Sequence, residues 1–291
     1  NREVRDRDYF FIWSFATWGL WAGFGLGAIW QFIAQRIGQA STRAWQLASP
    51  VLLVALIPLV TNANDAPRKG QTFTADWARD LDLPRLTDAA QAADYDVLFY
   101  VGSAQSFDPR GQKIARAFVA ILQAAGVKFG ILGPREGSTG ECARRLGNEM
   151  LFQQLAGGLI ATLGEIGVTR IVTCDPHALN SLRNEYPEFG GHYELVHHTQ
   201  LIAELLAQGR IRVNATLQRV IYHDPCYLGR HNGEFDAPRA ILARLCSDAP
   251  LEFGPSREKA MCCGAGGGRM WMEEKIGRRI NIARVEQALE A

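Results

Sequence analysis

The pattern of apolar and polar positions changes character along the chain. Residues 9–35 contain no Asp, Glu, Lys or Arg. A helix needs about 20 apolar residues to cross a bilayer, so this run predicts one transmembrane span. Trp13 and Trp30 stand near its ends, and Arg7, Asp8 and Arg36 flank it, as interfacial and water-facing residues do. The run is longer than the apolar core of a secretory signal, and no small-residue cleavage site follows. Gly19, Gly23 and Gly27 recur every four residues on one face. Such a face lets a partner helix dock closely, although glycine is also common in membrane helices without that role. Arg2, Arg5 and Arg7 before the run and Arg36 and Arg43 after it leave its orientation nearly balanced. A second apolar run, residues 51–60, is too short to span and carries Pro58, and residues 62–70 (NANDAPRKG) read as a turn-rich linker.

From Asp96 onward short apolar runs alternate with amphipathic ones. Strands are predicted at residues 97–101, 128–132, 170–173 and 194–197, with helices at 111–125, 141–163, 179–185 and 199–208. A second series has strands at 219–222 and 251–253 and helices at 237–245 and 272–289. Strands separated by helices imply parallel sheets covered on both faces, an α/β fold with right-handed crossovers. The organisation expected is an N-terminal transmembrane anchor (residues 1–35), a membrane-proximal segment and linker (36–95), and two related βα halves (96–215 and 216–291).

Composition narrows the function less than the pattern does. A net charge of +1, with 47% hydrophobic and 21% charged residues, gives no reason to expect nucleic acid. The 6 cysteines are too sparse for a secreted disulfide scaffold. Two of them, Cys262 and Cys263, are adjacent and precede the glycine-rich turn of MCCGAGGGRMWMEE, while Cys226 lies upstream in HDPCYLGRHN. Neighbouring cysteines reach disulfide geometry only with strain, so two thiols entering one site suit a metal or an iron–sulfur cluster better. The Cys-x35-Cys-Cys-Gly pattern and these two strings resemble the cysteine-rich CCG domain of heterodisulfide reductase catalytic subunits and glycolate oxidase iron–sulfur subunits. The resemblance covers the chain from about Asp96. It implies a site completed by a later Cys-x-x-Cys, and a ferredoxin-like segment upstream. No cysteine lies between Asn1 and Val101, so that segment's clusters are not expected here.

The two halves match as a repeat. Cys226 follows the first strand of the second half, as Ser103 follows that of the first; Ser138-Thr139-Gly140 then stands where Cys262-Cys263-Gly264 stands. Further on, Asp175-Pro176-His177-Ala178 occupies the place where the resemblance implies Cys-Pro-His-Cys. Ser103, Ser138, Asp175 and Ala178 thus replace ligands, and no metal is expected at this first site, because clusters are held chiefly by thiolates. The second site keeps Cys226, Cys262 and Cys263. Its Cys-x-x-Cys would fall near position 299, beyond Ala291, the last residue given. Three cysteines can hold a cluster with one open iron, or zinc with His223 or His231 as a fourth ligand. They also pack well as small apolar residues. The expected state is cofactor-free, with a cluster or zinc as the alternative.

Other candidates carry less. Gly264 to Gly268 can present N–H groups to an anion but reads better as a turn. Of His197 and His198, at least one is expected in the core, and Arg230 is expected as an exposed loop residue. Cys142 and Cys174 are expected to close the vacated first site. The function expected is a membrane-anchored accessory subunit of a respiratory or photosynthetic electron-transfer complex, a pseudoenzyme keeping a redox fold as a structural body. The alternative is an active iron–sulfur oxidoreductase subunit that relays electrons or handles thiols and disulfides. The body is expected on the cytoplasmic side of a single span.

Overall fold

The computed structural model describes residues 75–213, 216–269 and 277–290. The expected span and its Gly19, Gly23 and Gly27 face lie outside them. Among the described residues no helix is long and apolar enough to cross a membrane.

The α/β architecture is present. Strands β1 (Val97–Tyr100), β2 (Phe129–Gly130), β3 (Arg170–Thr173) and β4 (Glu194–His197) form a parallel sheet in the order β2-β1-β3-β4. Val97 pairs with Phe129, Leu98 with Ile171, and Thr173 with His197. Successive strand residues face opposite ways, and β1 shows this directly. Val97 and Phe99 enter one apolar layer, with Phe118, Leu122 and Leu205, whereas Leu98 and Tyr100 enter the other, with Phe152, Leu163 and Leu179. Burying each such side chain stabilises the fold by roughly 1.5–3 kcal/mol.

Helix α1 (Ala89–Ala92) precedes β1, and α2 (Ser103–Phe107) and α3 (Pro109–Ala124) follow it. Asp108 accepts the N–H groups of Arg110 and Gly111, and Pro109 opens α3 where no helical partner is lost. Ala115, Phe118, Val119 and Leu122 then fall on one face and cover the sheet. Gly111 is obligatory here: a Cβ would lie 2.2 Å from the carbonyl oxygen of Ala104.

Residues 141–163, expected as one helix, form two: α4 (Glu141–Arg145) and α5 (Glu149–Ile166). Gly147, at φ 83°, leaves the helical region, and Asn148 restarts it by accepting the N–H of Leu151. Helix α6 (Pro176–Asn180) starts earlier than expected because Asp175 caps it and Pro176 takes its first position; α7 (His198–Ala207) follows β4. The second series contains β5 (Ile221–Tyr222), α8 (Asp236–Leu245), β6 (Leu251–Glu252) and α9 (Ile280–Leu289). Strands β5 and β6 pair in parallel as a separate two-stranded sheet. Asn232 ties the two series together, its side chain meeting Asn180 at 3.3 Å and Asn184 at 3.1 Å.

Candidate functional site

Three loops of the four-stranded sheet meet at the ends of β1 and β3. Tyr100 donates its hydroxyl to the carbonyl of Gly137. Glu136 accepts the N–H groups of Val101 (3.1 Å) and Gly102 (2.7 Å). A Cβ on Gly102 would lie 3.5 Å from Asp175 Oδ2. The segments carrying Ser103, Ser138 and Asp175 therefore converge, but each residue serves the local backbone. Ser103 opens α2 and is exposed, Ser138 Oγ accepts the N–H of Gly140, Asp175 caps α6, and Ala178 is buried in the apolar layer.

Carboxyl groups are prominent around this place. Burial pushes Glu136 up to about 7, against its two backbone hydrogen bonds, and burial also raises Asp175. Glu141 is buried, lies within hydrogen-bond distance of His177 Nδ1 at 3.0 Å and forms an ion pair with Arg145, whose Nε is 3.4 Å away. Burial opposes ionisation of both Glu141 and His177, but their contact wins, lowering the carboxyl and raising the imidazole. None of this was legible beforehand, since a lone Glu in a loop carries no spacing signal.

Cys142 and Cys174 do not close the gap together. Cys174 follows the strand alternation into the layer of Phe99 and Val172, opposite to that of Ala178. Cys142 lies against Glu141 and the Gly268 turn, and both are free thiols. His197 is a core residue, its Nδ1 2.7 Å from Thr199 Oγ1, and the His198 ring lies 4.3 Å away. Burial pulls the two down to about 2 and about 4, which keeps them neutral.

The second series brings Cys226, Cys262 and Cys263 near one another. Cys262 is close enough to both other thiols to change their ionisation, and its sulfur accepts the N–H of Gly264 at 3.3 Å. The neighbouring thiols pull Cys262 down, while Cys262 pushes Cys226 and Cys263 up. Asp224, two residues before Cys226, is locked by both oxygens to Arg239 (2.7 and 2.9 Å) and accepts the N–H of Arg257. Arg230, expected merely as an exposed loop residue, holds the carbonyl of Ala260 and lies close enough to Cys226 and Cys262 to favour their thiolates.

The glycine turn has a use that the sequence reading missed. A Cβ on Gly266 would meet His177 Cε1 at 2.8 Å, one on Gly267 would meet Arg145 Cβ at 3.1 Å, and one on Gly268 would meet Cys142 Cβ at 3.7 Å. The turn is bare so that it can lie against the first series. Tyr227 extends this seam, sandwiched between His177 at 4.1 Å and His231 at 4.5 Å.

Zinc does not suit these residues. His223 Nδ1 is occupied by Arg284 Nε at 3.0 Å, and His231 is stacked on Tyr227. Among the described residues no three His, Cys, Asp or Glu side chains are arranged about a single ion. Three thiols beside a backbone N–H and the Arg230 charge are the donor type that iron–sulfur clusters use.

The model of the cysteine-rich CCG domain matches residues 97–183 and again residues 220–291. The chain belongs to the cysteine-rich CCG family. Among its relatives, a probable iron–sulfur-binding oxidoreductase, FadF, of Bacillus subtilis is 48% identical over 76% of this chain and 32% of its own length. An EtfAB:quinone oxidoreductase of Syntrophomonas wolfei is 43% identical over 67% of this chain and 28% of its own. A probable membrane-anchored ferredoxin of Chromohalobacter salexigens is 44% identical over 66% and 29%. The chain thus spans about a third of the length of these CCG proteins. No solved structure matches it. The cysteine-rich family and relatives named for iron–sulfur binding overturn the expectation of a cofactor-free state.

Proposed function

We propose that this CCG chain is the cluster-bearing part of an iron–sulfur oxidoreductase that passes electrons within a larger assembly. The observation that carries the reading is the proximity of Cys226, Cys262 and Cys263, each of which shifts the ionisation of another. A cluster bound there would supply one-electron transfer. The chain's own residues provide the thiolates, the Gly264 N–H toward sulfur, and Arg230 as a neighbouring positive charge. Ser103, Ser138, Asp175 and Ala178 supply no thiolate, so a single centre is proposed and the first half serves as its support. The relatives' names favour this oxidoreductase reading over the purely structural accessory subunit. Residues 9–35 are proposed to anchor the chain in a membrane, with Gly19, Gly23 and Gly27 toward a partner helix; a relative named as membrane-anchored is in keeping with this.

Anaerobic reconstitution followed by iron and acid-labile sulfide analysis tests the proposal. The wild-type chain is expected to bind both and to develop visible charge-transfer absorption, while Cys226→Ser and Cys262→Ser lose at least half of the bound iron. Equal iron content in the wild type and both serine variants would refute it.

A further inference from the structure

Arg284 is 5% exposed, yet no carboxylate among the described residues pairs with it. Its Nε donates to His223 Nδ1 at 3.0 Å, its Nη1 to Gln287 at 2.8 Å, and the buried Nη2 has no hydrogen-bond partner among the described residues. The guanidinium lies 3.5 Å over the ring of Phe253. Asp224 is close enough to be felt, but its oxygens are taken by Arg239 and the Arg257 N–H. A buried cation so weakly paired among the described residues is costly, and an anion nearby would offset that cost.

The cysteine turn lies against the helix that carries Arg284. Arg284 sits on α9, whose first turn packs against the residue after the cysteine pair: a Cβ on Gly264 would lie 2.8 Å from Ile280 Cβ and 3.5 Å from Asn281 N. The positive end of that helix therefore faces the cysteine turn, and no acidic side chain in its first turn offsets it. His223, held by Arg284, is within electrostatic reach of Cys262. Because Nδ1 accepts from Arg284, the proton of the neutral ring lies on Nε2, which makes the other edge of the imidazole a donor.

We propose that Arg284, acting through His223 and with the first turn of α9, is the built-in counter-charge of the cysteine centre and raises its reduction potential. The inference rests on the cluster reading above. Adding an electron makes a thiolate-bound cluster more negative, and a fixed buried cation stabilises that state more than the oxidised one. Arg284 is a positioning residue, since it touches the histidine and not the sulfurs.

The test is a spectroscopically monitored redox titration of the reconstituted full chain, after iron and sulfide analysis has established loading. Arg284→Met is expected to keep its iron and to shift the reduction equilibrium at least tenfold toward the oxidised form, about 59 mV for a one-electron couple. Arg284→Lys, which retains the charge, is expected to stay near the wild-type potential. A loaded Met variant with an unchanged potential would overturn the inference while leaving the cluster reading intact. If the Met variant does not fold, the Lys variant decides alone: a tenfold fall there would mean that packing, not charge, is what Arg284 supplies. A wild-type chain that binds no iron would remove both readings together.

Discussion

Glu136 shows how much a single side chain can make the fold depend on pH. It is 2% exposed, and its only described partners are two backbone N–H groups. Its pKa rises from 4.5 to about 7, so the folded chain holds this proton more tightly than the unfolded chain. Its favourable contribution is full below pH 4.5 and is lost as pH rises through 7. That shift corresponds to about 3 kcal/mol. Denaturant unfolding at pH 5 and pH 8 is expected to show a fall of this order in the wild type and a clearly smaller one in Glu136→Gln. Equal slopes would mean that the carboxyl is not the group being titrated.

Among the elements, those set by repeating contacts were legible from sequence and those set by single contacts were not. Strands β1, β3 and β4 are short apolar runs between turn residues, and α3 repeats its apolar positions at helical spacing, so their placement followed from pattern. The division between α4 and α5 depends on one positive-φ glycine and one asparagine cap inside an otherwise helical run. The adjacent pair Cys262–Cys263 stood out by itself, and Cys226 joined it through the resemblance to the CCG family. Arg284 and the Glu141–His177 pair did not, because their partners lie 61 and 36 positions away and no motif marks either end of the contact. The cap at Asp108 offers a direct check on the local reasoning. Asp108→Ala is expected to lower stability by about 1 kcal/mol in thermal or denaturant melts, since two N–H groups at the start of α3 lose their acceptor.

At the level of the whole molecule, the seam between the two series is held open for the glycine turn. Gly266→Ala would drive a methyl group into His177 Cε1, and a cost of about 1–3 kcal/mol is expected from such overpacking. In a His177→Ala background the same substitution should cost much less, and a double-mutant cycle on unfolding free energies measures the difference. Additive effects would show that the turn does not rest on that ring. The bare turn also has a consequence for the order of assembly. Domains generally fold as units during synthesis, the N-terminal one first. The surface that shapes the Cys262–Cys263 turn is made of His177, Arg145 and Cys142, all of which leave the ribosome before it does. The serine-bearing half, synthesised first, thus carries the surface on which the later glycine turn is laid.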